Sequence, residues 1–244
     1  MANHLDLEEQ EQLDQLKHFW KQYGNLITWF LIVVLGAFAS WNFYQYWQRS
    51  QATQASAMYD EVERVVKSAD TAKIDRVFID MKDRFSSTTY AQQAGLLVAK
   101  QYYSAGNVDA SKAALSWVAD KSSDAGYQAI AKLRLAGILM ESKSFDDALK
   151  QLNGSFPANF DALVADRQGD IYLLQGKKAE AIAAYGKAFK NFDERTEYRR
   201  LVEVKLNSLG FDPLSAGNSG GAVDVSKNSG AVPVAEVQAP EGKK

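Results

Sequence analysis

The stretch Gly24-Asn25-Leu26-Ile27-Thr28-Trp29-Phe30-Leu31-Ile32-Val33-Val34-Leu35-Gly36-Ala37-Phe38-Ala39 decides how the rest of the chain is read. No Lys, Arg, Asp, Glu or His occurs from Gln22 to Gln48. A helix over that interval would be about 40 Å long, enough to cross a hydrocarbon core of ~30 Å. Trp20, Tyr23 and Trp29 stand at one end, and Trp41, Tyr44, Tyr46 and Trp47 at the other. Rings with polar tips favour the headgroup layer, so Trp20, Trp29, Trp41, Tyr44 and Trp47 are expected at the membrane interfaces. Lys17, Lys21 and Arg49 have stems long enough to snorkel to phosphates.

Two other readings compete. Ala37-Phe38-Ala39 has the small residues of a signal cleavage site. A signal, however, opens on a short basic segment, and here Asp6, Glu8, Glu9, Glu11 and Asp14 outnumber Lys17 and Lys21. The second competitor is the buried helix of a soluble domain. A retained anchor fits the length and the flanks best. Lys17 and Lys21 before the span nearly balance Arg49 and Arg64 after it, so charge alone does not orient it.

Before the span, Leu5, Leu7, Leu13, Leu16 and Trp20 recur at roughly helical intervals among Glu, Gln and Asp. That pattern predicts an amphipathic helix, with acids early and lysines late as the helix dipole prefers. It could lie on the membrane or on a partner, or simply lead into the anchor. Gly24 is expected to end this helix or let it bend.

The chain has 244 residues, a formal charge of -2 and no Cys. Disulfides, zinc thiolates and cysteine nucleophiles are therefore excluded, and nothing in the overall charge argues for nucleic acid. Both histidines, His4 and His18, precede the span, so the body holds no histidine-based site. There is also no phosphate-binding glycine loop, metal-ligand cluster or nucleophile–base pair. Asp146-Asp147 and Asp193-Glu194 read as helix-start acids, and Arg195, Arg199 and Arg200 as a solvated face or a docking patch. Neither an enzyme nor a cofactor is expected.

From Gln51 to Gly210 the sole proline is Pro157, and apolar residues keep a helical period. Three windows align on a turn at Gly106, Lys143 and Gly176, spaced 37 and 33 residues. Seven residues before the turn stand Ala99, Ala136 and Gly169; five after it, Ser111, Ala148 and Ala181. Large residues alternate with these small ones: Tyr102, Leu139 and Tyr172 four before, Leu115, Leu152 and Tyr185 nine after. Two packed helices need small residues where their backbones approach and bulky ones a turn away. A turn glycine permits the left-handed backbone that stops the first helix. The pattern resembles the tetratricopeptide repeat, with its period of about 34 residues. Ala52–Lys67 and Lys73–Phe85 look like an atypical leading pair, and Glu194–Leu209 like a capping helix. No Pro or Gly lies between Gly36 and Gly95, so the first body helix can run continuously out of the membrane.

The expected fold is all-α: an amphipathic leader (1–23), a single transmembrane helix (24–47), a tetratricopeptide-like α-solenoid (48–210) and a disordered tail (211–244). Stacked helical pairs form a concave groove that suits polypeptide. In the register above, its candidates are Leu96, Lys100, Tyr103, Leu133, Met140, Asp166, Asp170 and Leu173. The same residues would equally serve to pack one helix of the chain on another.

The leader, Leu7-Glu8-Glu9-Gln10-Glu11-Gln12-Leu13-Asp14-Gln15-Leu16-Lys17-His18-Phe19-Trp20-Lys21-Gln22-Tyr23-Gly24, resembles the ancillary SecYEG translocon subunit family of Gram-negative bacteria. Members share a Glu/Gln-rich opening, a Lys-x-x-Trp-Lys run and a Gly before one span. Thr89-Tyr90-Ala91-Gln92-Gln93-Ala94-Gly95-Leu96-Leu97-Val98-Ala99-Lys100 is similar to that family's first repeat helix. The likeness covers about residues 5 to 210. It implies an inner-membrane protein with a cytoplasmic front and a periplasmic repeat domain. The implied partners are the SecYEG translocon, a membrane-anchored periplasmic chaperone of the prolyl-isomerase type, secretory client chains and the lipid bilayer. The implied function is to assist hand-over of exported chains to periplasmic chaperones. The alternative is a structural or regulatory envelope scaffold acting through its leader.

Overall fold

The computed structural model describes residues 7–218; the start of the leader and the segment 219–244, most of the expected tail, lie outside the described residues. No strand occurs among the described residues. The chain divides into two compact units, 1–157 and 158–244.

The first unit begins with α1, a single helix of 62 residues over Leu7–Ser68. It contains both the leader and the apolar stretch, and the boundaries at 23/24 and 47/48 fall inside it. Gly24 does not end it, contrary to the sequence expectation. A Cβ on Gly24 would lie 3.2 Å from the Trp20 indole, so that ring covers the glycine one turn on. The absence of Gly or Pro beyond Gly36 leaves nothing to break the helix. At its far end Ala55, Val62 and Val65 are buried, with Met58, Tyr59 and Val66 packed beside them. This is the stripe of one helical face.

Five more helices complete the unit: α2 (Thr71–Phe85), α3 (Thr89–Ser104), α4 (Val108–Lys121), α5 (Ala125–Glu141) and α6 (Phe145–Leu152). Neighbours in sequence pack on one another, and α1 also packs on α3. The core joins Ile74, Phe78, Met81 and Phe85 of α2 to Ala91, Val98 and Tyr102 of α3 and to Leu115 and Val118 of α4. Phe78 and Trp117 meet edge to face at 5.6 Å. Ala99 and Ser111 are buried where α3 and α4 meet, and the Ser111 hydroxyl donates to the Ala99 carbonyl at 2.8 Å. A Cβ on Gly95 would come within 2.5 Å of Val118, so α4 rests on bare backbone there.

The second unit holds α7 (Asp161–Leu174), α8 (Lys178–Asn191), α9 (Glu197–Ser208) and α10 (Pro213–Asn218). Its core is Ala165, Ala181, Tyr185, Ala188, Phe189, Val202 and Leu206, with Phe211 packed against it. Phe211 thus belongs to the packed body, and a short helix follows it. Tyr185 lies flat on Gly169, whose absent Cβ would sit 2.5 Å from the ring.

All the aligned turn positions have left-handed backbone: Gly106 at φ 78°, Lys143 at 58° and Gly176 at 74°. At each, two amides fold back onto the ending helix. Asn107, Ser144 and Lys177 donate to the carbonyls of Tyr102, Leu139 and Tyr172 at 2.8–2.9 Å. This is the 6→1 bond of a Schellman cap. Two further positions are left-handed: Ala69 at φ 55° between α1 and α2, and Gly210 at 76° after α9, where Phe211 again donates to the Leu206 carbonyl at 3.1 Å. The loops at the other end of the hairpins are also tied. Gln92 and Gln128 each donate from Nε2 to a carbonyl six residues back, Ser86 at 2.7 Å and Ser122 at 2.6 Å.

Lys143 carries a side chain in a conformation that costs an L residue about 1–2 kcal/mol. Lys143→Gly is therefore expected to stabilise the chain by about 1 kcal/mol, read as a higher urea midpoint at unchanged slope. An unchanged or lower midpoint would contradict the left-handed turn.

Candidate functional site: an apolar membrane helix and a repeat surface

The large apolar side chains from Leu26 to Trp47 are nearly all exposed. Leu26, Phe30, Leu35 and Phe38 are each more than 60% exposed, and none of the apolar window is buried. A soluble core helix would bury such a face; this helix is long and apolar enough to cross a membrane. Polar side chains within it turn onto their own helix: Thr28 to Gly24 O at 2.8 Å, Ser40 to Gly36 O at 2.8 Å and Asn42 to Phe38 O at 3.0 Å. Each is thereby satisfied without water, as hydrocarbon requires. Trp20, Trp29, Trp41, Tyr44 and Trp47 are all exposed on this rod.

The groove candidates fall into several environments. Leu96 is buried in the core of the first unit and presents nothing to a ligand. Lys100 is exposed, and Leu133 and Met140 are half-buried. Tyr103 is 40% exposed and donates its hydroxyl to Glu141 of α5, a bond that raises its phenol above the usual range. Gln93 reaches Tyr127 Oη at 2.8 Å. These two bonds stitch α3 to α5 at separations close to one repeat period. Lys100 and Tyr103 are thus the exposed members of the set in this unit, with Leu133 and Met140 partly accessible.

In the second unit Asp166 and Asp170 are taken up by α9. Lys205 Nζ lies 2.7 Å from Asp166 Oδ1 and 2.7 Å from Asp170 Oδ1. Tyr198 donates to Asp166 Oδ2 at 2.9 Å and Tyr185 to Asp170 Oδ1 at 2.8 Å. Asp166 is only 2% exposed, a burial a carboxylate tolerates when paired and fully bonded. Burial first, then the charge of Asp166, push the Tyr198 phenol up to about 12. Tyr185 is raised as well, by burial and by its bond to Asp170. Leu173, 42% exposed, is the one candidate of this unit that stays open to a partner.

The sequence reading missed Glu141, Gln93, Tyr127, Tyr198 and Lys205. Their signal is complementary polarity 32 to 39 residues apart, which emerges only once the repeat register is used to compare successive first helices. Among the described residues no group of three or more His, Cys, Asp or Glu is placed to hold a metal ion.

The family described as tetratricopeptide repeat-like domain matches residues 17–211. An ancillary SecYEG translocon subunit of Neisseria gonorrhoeae is 32% identical over 86% of this chain and 100% of its own length. Relatives with the same description from Haemophilus influenzae and Escherichia coli are 30% and 27% identical, over 83% and 82% of this chain and 98% and 96% of theirs. No solved structure matches the chain.

Removing the cation at Lys205 leaves the buried Asp166 without an ion-pair partner, while Asp170 keeps Arg167 at 3.8 Å. Lys205→Met is expected to cost about 2 kcal/mol, less than the about 3–5 of a fully buried pair because Lys205 is partly solvated. Lys205→Arg should recover part of that in the same urea titration, and a neutral Lys205→Met would remove the ion pair from any role in stability. The tyrosines give a separate alkaline signature. An unfolded phenol ionises near pH 10 while Tyr198 holds its proton to about 12, so the unfolded state loses protons first. Stability should fall as pH rises from about 10 towards 12, and Tyr198→Phe should flatten that fall in thermal melts.

Proposed function

We propose, for a chain that belongs to the ancillary SecYEG translocon subunit family, that it is a membrane-anchored protein-binding scaffold at the Sec translocon. It assists hand-over of newly exported chains to periplasmic chaperones. The observation that carries this reading is α1: one uninterrupted helix is at once an exposed apolar span and a packed member of a repeat domain. Relatives matched along nearly their whole lengths bear a translocon name, which supports the same placement.

In this reading residues 1–23 are a cytoplasmic leader, 24–47 the inner-membrane span and 48–210 a periplasmic repeat domain, with 211–244 trailing it. The chain binds polypeptide and catalyses nothing. Its partners are the translocon, emerging secretory chains and a membrane-anchored chaperone of the prolyl-isomerase type. Confinement by the anchor raises the effective concentration of a weak surface near the exit site, so low intrinsic affinity suffices. Lys100, Tyr103 and Met140 offer such a surface, a cation and a phenol beside an adaptable thioether. A leader-based scaffold is the second reading, favoured by the outward apolar side chains Leu13 and Leu16, 41% and 61% exposed.

Photocrosslinkers at Tyr103 and Met140 in living cells are expected to yield adducts with translocon subunits, exported chains or periplasmic chaperones, and none at buried Val98. Adducts confined to the protein itself would overturn the groove reading. Deleting residues 1–20 while keeping the span should spare most of this capture; its loss would favour the leader as the working part.

A further inference from the structure

We propose that the loop end of the first unit, Ser86–Thr88 with Ser122–Asp124, lies against the lipid headgroups, and that its left-handed turns point away from the bilayer. The inference rests on α1 spanning the membrane. It follows from the helix being a rod. Ala55, fully buried in the core, is eight residues beyond Trp47, which is about 12 Å of helix. Ser50, Gln51 and Ala52 are already half-buried, so the body starts almost at the aromatic belt. No Gly or Pro offers a hinge between them.

The direction of each later helix is then fixed. α1 runs away from the membrane to the turn at Ala69, and α2 runs back. Val65 and Ile74, Val62 and Phe78, and Ala55 and Phe85 lie at nearly matched separations on either side of that turn, and all belong to one core. Phe85 therefore ends level with Ala55, and Ser86–Thr88 sits next to the headgroups. The ring pair Tyr59–Tyr90, 6.0 Å apart, holds the start of α3 to the same part of α1. α3 descends, α4 returns, and Ser122–Asp124 comes back to the near side. The far turns lie a helix length away, about 24 Å for the 16 residues of α3.

Charge is weakly polarised along the same axis, the far side also carrying Lys67, Lys73 and Lys143. The returning helices end on cations, Lys82 and Arg84 in α2 and Lys121 in α4, while Asp109 in α4 and Asp146 and Asp147 in α6 open them at the far side. With Arg49 these cations face the lipid against Asp83, Asp120 and Asp124, the last already bonded to the Gly126 and Tyr127 amides. Anionic headgroups attract such an end more than the far one. The loops are also stiff, tied by Gln92 and Gln128 to the carbonyls of Ser86 and Ser122.

The chain contains no Cys, so single-cysteine labels are clean. Full-length Ser87→Cys, Ser123→Cys, Ser104→Cys and Ala39→Cys would carry a fluorophore in vesicles of phosphatidylethanolamine and phosphatidylglycerol. A headgroup-attached quencher should dim Ser87 most, Ser123 less, and Ser104 at the far turn several-fold less than Ser87. An acyl-chain quencher should dim Ala39. Equal quenching at Ser104 and Ser87, or none at Ser87, with Ala39 still in lipid, overturns the proposal and leaves the span intact. An Ala39 label outside lipid overturns both the proposal and the membrane reading.

Discussion

Hydrocarbon offers the peptide backbone no hydrogen-bonding partner, and that constraint governs everything downstream of it. Over Gln22–Gln48 each amide must be satisfied within the segment, which only a helix achieves for a lone strand of chain. Once formed, the helix has no reason to stop at the interface, because no Gly or Pro lies between Gly36 and its end at Ser68. It runs instead to Ser68 and gives the body its first core face, from Ala55 to Val66. The side chains that would otherwise demand water, Thr28, Ser40 and Asn42, return their hydrogen bonds to the same helix. Anchor and domain are mechanically one element.

Away from the membrane the structure is governed by a pair of local rules repeated. Backbones meet at small residues, Ala99 with Ser111 and Gly169 under Tyr185. The first helix of each pair stops on a left-handed residue, and at Gly106, Lys143 and Gly176 the following amides satisfy its last carbonyls. The polar bonds between successive first helices, Tyr103 to Glu141 in one unit and Lys205 to Asp166 in the other, then set the faces that remain for a partner. In the second unit those bonds consume acids that would otherwise face outward.

These rules differ in how plainly they are written in the sequence. Gly106 and Gly176 announce their turns because glycine is the residue that adopts such backbone freely. Lys143 is legible only through its register with them, and Ala69 not at all, since its flanks Val62 and Ile74 replace the small residues of the other copies. Gly24 misleads for a related reason. Helix propensities are set in water, whereas here Trp20 covers the glycine and the adjoining apolar segment holds the helix. Leu96 and Asp166 were expected at a groove because both fall on the inner face by period. Burial of Leu96, and the cation on α9 that pairs with Asp166, depend on partners more than thirty residues away, and periodicity within one helix carries no information about them.

One turn speaks to how such a chain changes length. After α9, Gly210 and Phe211 fold back on Asn207 and Leu206 as the internal turns do, and a helix follows that covers six of the described residues. Among the described residues it is the last arm, and the joint before it is already of the internal kind. A longer arm spliced at Asp212 would dock by the same grammar as its predecessors, leaving every upstream residue as it is. Growth by duplication in proteins of this design needs no new joint, only more chain.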